Sequence, residues 1–413
     1  MKNIVVIGGG FAGLWSAASA ARVADELNEA VKITLLNLDD QHSIRVRNYE
    51  DDLEATLVPL RPVLDPIGVA LLVGEATGID TDKHTVQVGV PNQGLRQLSY
   101  DKLILASGSH LARPPLPGLA QWSFDVDTHA AAQRLQSHIE ALPKQPPHPG
   151  RFTAVVVGSG ATGVELACEL PQRLRTAASR AGRGNGLETV RVVLVDGQSR
   201  IAGHLGGAQV AIERACTALG IEQMPGTTVA TVDADGLTLS NGSRIEASTV
   251  VWCAGLQADG LTASVPGERD AQGRLFVDEF MRVQGVADVF AAGDVAHALI
   301  DAEHPSVMSC QHARPMGRYA GNNAACELFG RSMLPLHIDW YTNIIDLGPN
   351  DAVYSQGWDR TVVAQGMQAK ATKQVINRER IYPPRNGTRE QILAAASTEL
   401  QRPPVLKPVD MDR

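Results

Sequence analysis

The sequence predicts an α/β fold: two Rossmann-like dinucleotide-binding domains of the three-layer ββα kind, and a smaller C-terminal α+β domain. Three observations carry this. An apolar strand runs through a GxGxxG turn into an alanine-rich helix twice, about 150 residues apart, in "NIVVIGGGFAGLWSAASAARV" and "FTAVVVGSGATGVELACEL". Each copy is followed by a second apolar strand and later by a strand–turn segment, "YDKLILASGS" (100–109) and "ASTVVWCAG" (247–255), that closes it. And 413 residues, at roughly 100–200 per domain, leave room for two or three domains.

In the first copy, Gly8 permits the tight turn, Gly10 lets a pyrophosphate approach the backbone, and Gly13 lets helix and strand pack closely. Phe11 and Ala12 belong to the same loop and open the helix whose N-terminus attracts phosphate charge. The next strand, "VKITLLNLDD", has Asn37 where a ribose-binding acid is expected, and asparagine can still hydrogen-bond a ribose. In the second copy Gly158, Gly160 and Gly163 take the three glycine roles, with Thr162 between the last two. The strand after it, "TVRVVLVDG", ends in Asp196. A carboxylate there accepts from the 2′-hydroxyl of NAD and repels the 2′-phosphate of NADP, so NADH is the expected nucleotide. The basic stretch "RLRTAASRAGRGNGLE" (173–188) reads as a solvated loop; the alternative is that its arginines accept a 2′-phosphate. One nicotinamide needs one site, so the pair is expected to hold FAD and NAD(P)H.

Composition excludes several classes. Hydrophobic residues make up 44% and charged residues 20%, the balance of a globular protein. The net charge of −8 argues against nucleic acid as the main partner. The five cysteines, Cys168, Cys216, Cys253, Cys310 and Cys326, form no CxxC pair; neither a disulfide framework nor a zinc site is expected, and a reducing cytoplasm fits. No run of about 18 apolar residues predicts a transmembrane helix, and the opening strand leaves no signal peptide, so at most peripheral membrane contact is expected.

Taken with "GRLFVDEFMRVQGVADVFAAGDVAH", these motifs resemble the flavoproteins with two dinucleotide-binding domains, the pyridine nucleotide–disulfide oxidoreductase superfamily. Within it the chain looks most like the type II NADH dehydrogenases, the NADH:quinone oxidoreductases. "GGGFAG", "YDKLILASGS", "GSGATGVELA", "VVWCAG" and "VFAAGDVA" carry the likeness from residue 1 to about 330. The resemblance implies an FAD-binding domain made of residues 1–112 and 256–330, an NAD(P)H-binding domain at 113–255, and a C-terminal or interface domain at 331–413. It adds Arg45, Ser107, Gly108, Gly255, Gly293 and Asp294 to the cofactor neighbours, the aspartate reaching the ribityl or pyrophosphate part of FAD; for Arg45, with Arg47 and Glu50, the alternative is an ordinary ion-pair cluster. It also admits a homodimer.

The resemblance further implies hydride transfer from NADH to the flavin and passage of two electrons to an acceptor, most simply a quinone-like small molecule. Glu165 is similar to the glutamate that relatives place near the nicotinamide; its alternative is a helix-surface residue. Lys370 or Lys373, in "GMQAKATKQVIN", would lend positive charge to the flavin, with a solvated surface lysine as the alternative. The segment "HSIRVRNYEDDLEATL" (42–57), where disulfide reductases carry their cysteine pair, contains none, so a dithiol relay is not expected. Relatives show AQxxxQ on the acceptor side; this chain has "CQHARP" at 310–315, keeping Gln311 and replacing the second glutamine by Pro315. Gln311 and His312 are therefore the expected acceptor-side groups, Cys310 a small packed residue, and no metal is expected. Other readings are a reductase of a ferredoxin-like carrier, a biosynthetic flavoenzyme acting on a small cyclic metabolite, and a redox-sensing flavoprotein.

Because proline suits the first turn of a helix and costs about 3 kcal/mol or more in its interior, Pro315 predicts a helix from near Arg314 to about Phe329, with Gly330 at its C-terminus. The remainder reads as strand-like "LPLHIDWYTNIIDLG", a hairpin in "AVYSQGWDRTVVAQG", a short helix at 389–400, and a loose proline-rich tail.

Overall fold

The computed structural model describes residues 1–181, 189–301, 303–404 and 406. Two parallel sheets organise it. The first runs in the order Val289–Ala291, Lys102–Leu105, Lys2–Ile7, Val31–Asn37, Ala70–Val73. The second runs Ile221–Met224, Arg191–Val195, Thr153–Val157, Thr249–Trp252. Their central strands are near-continuous apolar runs buried on both faces, as parallel strands covered by helices on one side and further strands on the other must be. Each sheet is accompanied by a three-stranded antiparallel sheet, Glu75–Ser99 for the first and Val229–Glu246 for the second. The expected three-layer arrangement is therefore present twice.

Both glycine fingerprints sit where the sequence puts them. Gly8 and Gly158 turn with φ of +103° and +104°, and a side chain on Gly8 would lie 2.3 Å from the Ala106 carbonyl. The helices that follow are Phe11–Leu27 and Ala161–Arg180. The two segments that pass between the sheets pair with each other: Ser109–Leu111 lies antiparallel to Leu256–Ala258.

The helix after Asp294 departs from expectation. It spans Cys310–Leu328, one turn longer at its start, and Pro315 is buried inside it. Tertiary contacts hold the extra turn: Gln311 is bonded to Thr342, and His312 is fully buried in its own cluster. The predicted C-terminus holds, with Leu328 the last helical residue and Gly330 at φ +65°. This helix packs along Phe11–Leu27 through two glycines. A side chain on Gly317 would lie 2.2 Å from the Ala12 carbonyl oxygen, and one on Gly321 2.0 Å from that of Ser16.

The stretch expected as a loop from Arg173 is helical to Arg180, because "RLRTAASR" is built of good helix formers and Leu174 and Ala177 are buried. Of the arginines on which the 2′-phosphate alternative rested, Arg173, Arg175 and Arg180 lie on this helix, with Arg173 3.4 Å from Asp51; Arg183, within 182–188, lies outside the described residues, as do residues 407–413 of the tail. The C-terminal part forms an antiparallel sheet of Thr342–Asp346, Ala352–Gln356 and Thr361–Gln365, which includes the expected hairpin, followed by the helix Gly366–Val375. The last helix, Arg389–Ala395, starts with a Thr388–Gln391 capping box and buries Ile392 and Leu393 against the first helix. Among the described residues no helix is long and apolar enough to cross a membrane.

Candidate active site

The first fingerprint offers a phosphate cradle. No side chain caps the helix at Gly10, and space around Gly10 is open. The first-turn N–H groups of Phe11, Ala12 and Gly13 therefore face a site suited to a pyrophosphate. Next to it, the Ser107 hydroxyl is buried without a partner, and Gly108 borders open space. Asp294 closes the far side: the Ser109 hydroxyl donates to its carboxylate at 2.6 Å, and Arg45 lies 3.9 Å away. Burial pushes the Asp294 carboxyl up, against the Ser109 bond and the Arg45 charge. Arg45 also donates to the Ser109 carbonyl at 3.0 Å and pairs with Asp127. Asn37 is turned inward, accepting from the Gly9 N–H at 2.8 Å and donating to the Asp39 and Gln41 carbonyls. An open cradle, an orphaned hydroxyl and an arginine-flanked acid fit a flavin dinucleotide.

The second fingerprint repeats the cradle. Gly160 borders open space at an uncapped helix start, with Thr162 exposed beside it. Asp196 stands at the end of its strand and is held by Ser159, whose N–H and hydroxyl both donate to one carboxylate oxygen at 2.6 Å. The other oxygen accepts from the Gln198 N–H at 2.8 Å. Gly255 lies against Ala112 at the crossing between the two sheets.

Between the cradles the chain brings together residues far apart in sequence. Glu165 and Lys373 are 5% and 7% exposed, so neither the helix-surface reading of the one nor the solvated reading of the other holds. Their side chains meet at 2.6 Å. Lys373 also donates to the Ile344 carbonyl at 3.1 Å and lies over the Tyr49 ring. Burial opposes its charge, and Glu165 more than restores it, so the lysine is held protonated. Lys370 is likewise buried, paired with Asp346, whose N–H donates to Glu165 at 3.1 Å. Tyr49 donates to Asp346 at 3.3 Å. Three chain segments therefore share one buried polar network: the helix of the second fingerprint, the C-terminal sheet and helix, and the turn around residue 49.

Glu169, one turn along from Glu165, extends this network. Burial and then the Asp346 charge push its carboxyl up to about 7. A raised carboxyl contributes stability below its unfolded-state value that is lost as pH rises through the folded value. Glu169→Gln is accordingly expected to match the wild type in thermal stability near pH 4.5 and to become the more stable of the two by pH 7.5. A constant difference across that range would remove Glu169 from the network's electrostatics.

The stretch around the start of the Cys310–Leu328 helix divides sharply. Gln311 is half wired: its Oε1 accepts from the Thr342 hydroxyl at 2.8 Å and from the Thr342 N–H at 3.2 Å, which leaves its amide Nε2 buried and without an acceptor. His312 faces another way, fully buried against Tyr341 and Trp358. The Val307 N–H donates to its Nδ1 at 2.9 Å, so its proton sits on Nε2, and burial pulls its pKa down to about 4. The structure thus places His312 apart from Gln311. Cys310 packs among Ile44, Val58, Ile381 and Tyr382, and burial pushes its thiol up. Among the described residues no group of three metal-ligating side chains occurs.

Sequence reasoning singled out Glu165, Lys373 and Gln311 and passed over Asp346, Tyr49, Thr342 and Ser109, which the structure joins to them or to Asp294. Ser109 ends the segment "YDKLILASGS", but the other three carry no motif, and each of the four acquires its partner only across a long chain separation, such as the 297 residues between Tyr49 and Asp346.

Comparison with known proteins gives a consistent picture. The family described as pyridine nucleotide-disulphide oxidoreductase matches residues 2–317. An NADH dehydrogenase-like protein of Mycobacterium tuberculosis is 50% identical over 408 residues, covering 98% of this chain and 100% of the relative. A demethylphylloquinone reductase of Synechocystis is 25% identical, covering 97% and 96%. Among solved structures, NDH2 from Plasmodium falciparum in complex with NADH superposes with a TM-score of 0.77 at 13% identity, covering 95% and 97%.

Proposed function

The chain belongs to the pyridine nucleotide-disulphide oxidoreductase family, and from that premise we propose that it is an FAD-dependent NADH oxidoreductase that hands two electrons to a quinone-like small molecule without a redox disulfide. FAD is assigned to residues 1–112 and 256–330, NADH to 113–255, and 331–413 to a part that completes the site between them. The observation that carries the acceptor reading is the Gln311 amide, fixed by Thr342 and left with a buried donor that has no partner. A buried donor without an acceptor costs about 1–3 kcal/mol, and a carbonyl oxygen of a quinone would remove that cost. The relative named as a demethylphylloquinone reductase and the other named as an NADH dehydrogenase-like protein support the same direction.

Bound flavin supplies the two-electron chemistry that links donor to acceptor. The protein's part is binding, orientation and charge. Gly10 and Gly13 with their helix would hold the FAD pyrophosphate, Asp294, Arg45 and Ser107 its neighbouring parts, and the Gly158–Gly163 loop with Asp196 the NADH. Lys373, kept protonated by Glu165, places a fixed positive charge beside Tyr49 in the space between the two cradles. Reducing a quinone to a quinol takes up one proton beyond the hydride; that proton comes from water, and the fixed Lys373 charge would stabilise the negative charge on the acceptor until it arrives.

Two results are expected. Wild-type enzyme will show kcat/KM at least about tenfold higher with NADH than with NADPH, equivalent to about 1.4 kcal/mol, because a 2′-phosphate would meet the Asp196 carboxylate. Equal or reversed values would sink the assignment of Asp196. In stopped flow, Gln311→Ala will slow re-oxidation by menadione about tenfold while leaving reduction by NADH nearly unchanged. Equal slowing of both half-reactions would remove Gln311 from the acceptor side. If neither menadione nor ubiquinone-1 re-oxidises the NADH-reduced enzyme, the quinone reading fails.

A further inference from the structure

Two arginines in the glycine-bearing helix pair have no role in the function proposed above. Arg314 and Arg318 lie one turn apart on Cys310–Leu328, so their side chains share a face. Both are stacked on the indole of Trp15 from the first helix, at 5.5 Å and 4.4 Å from its centre. Arg318 is only 7% exposed and, among the described residues, makes no hydrogen bond or ion pair; its Nε is buried without a partner. Arg314 makes one hydrogen bond, to the Arg380 carbonyl at 2.9 Å, and its Nε is likewise unpartnered. Among the described residues neither has a carboxylate within ion-pair distance, whereas Arg22, nearby on the first helix, is neutralised by Glu26. The Trp15 indole N–H, on the ring they stack against, is also buried without an acceptor.

This is an expensive arrangement. Burying a guanidinium costs several kcal/mol unless a counter-charge is supplied, and two of them repel. Burial and mutual repulsion pull Arg318 down to about 10, with no acid acting the other way. The donors are rigid forks, stiffened by stacking, of the kind that matches an oxyanion bidentately.

We propose that Arg314 and Arg318, with Trp15 as their platform, form a binding site for a phosphate-type oxyanion, separate from the two pyrophosphate cradles. The pair of charges suits a phosphate mono- or dianion, and the donors that lack acceptors number enough to surround a tetrahedral group. That chemistry has two sources, a free phosphate and the headgroup of an anionic lipid, and the test separates them.

The FAD-loaded enzyme is titrated with inorganic phosphate at constant ionic strength, chloride being exchanged for phosphate, and followed by calorimetry and thermal melting. Phosphate is expected to bind and raise Tm by roughly 2 °C or more at saturation, and Arg318→Met and, separately, Arg314→Gln to abolish both signals. Flotation with phosphatidylglycerol vesicles that inorganic phosphate competes away would assign the site to a lipid headgroup; phosphate binding without flotation would assign it to a soluble phosphate. Absence of both in the wild type overturns the proposal and needs no variant to fold. Loss of flavin absorbance from either variant also overturns it, since the arginines would then serve the cofactor.

Discussion

Lys373→Met is expected to destabilise the protein by about 3–5 kcal/mol, the usual cost of removing one partner from a buried ion pair. The lysine and Glu165 are both almost wholly covered and 2.6 Å apart, and the same glutamate oxygen also accepts from the Asp346 N–H. Removing the ammonium leaves a buried carboxylate beside Asp346 with one backbone donor. Burial already pushes Glu165 up, and Lys373 is what opposes that. In the variant the carboxyl rises further, so the deficit is greatest at neutral pH and above. It should shrink as pH falls and the acid takes a proton. The double variant Glu165→Gln/Lys373→Met should recover much of the loss, because it removes both charges together. Denaturant midpoints of the four proteins at two pH values settle the matter. A single-variant loss under about 1 kcal/mol, or a double variant as weak as the sum of the singles, would show that the pair is not coupled as its geometry demands.

The second large effect concerns the helix seam. Gly317→Val is expected to strip the protein of flavin and to cost more than the ~1–3 kcal/mol typical of overpacking. Even a methyl at 317 would lie 2.2 Å from the Ala12 carbonyl oxygen and 2.9 Å from two further Ala12 backbone atoms, which cannot swing aside as a flexible side chain can. Ala12 belongs to the first turn after Gly10, so relief of the clash displaces the N–H groups that face the cradle. Gly321→Val provides the control. Its clash with the Ser16 carbonyl is as severe, at 2.0 Å, but falls one turn further from the cradle. It should lower Tm comparably while retaining more flavin. The absorbance ratio of flavin to protein after gel filtration reads this directly; a Gly317→Val protein with full flavin would show that the seam does not position the loop.

Much of this architecture was legible in the chain because its signals are local. A strand, a GxGxxG turn and a helix lie within about twenty residues, and both copies fold as written. The hairpin and the end of the Cys310–Leu328 helix were legible for the same reason. Where reading failed, a distant contact overrode a local preference. Pro315 argued for a late helix start, yet Thr342 holds Gln311 and an aromatic cluster holds His312, and together they wind one more turn. For Lys370 and Lys373 the polar run left a charge beside the flavin and a solvated surface lysine both open. Only Asp346 and Glu165, brought from 24 and 208 residues away, make their burial tolerable. Gln311 and His312 are neighbours in sequence and were expected to act together; successive positions on a helix point about 100° apart, and here one meets Thr342 while the other enters the aromatic cluster.

The buried network around Asp346 also fixes a length. Asn377 reaches Glu50 at 2.8 Å, Tyr49 reaches Asp346, and Lys373 reaches Glu165, so the C-terminal segment is fastened to both nucleotide-binding halves at once. A hinge between those halves would have to break several desolvated charge contacts in each cycle. The spacing of the two halves is thus set by contacts made when the chain folds. If Asp196 holds the nucleotide ribose as proposed, discrimination between NADH and NADPH then rests on that carboxylate rather than on the closing of a cleft.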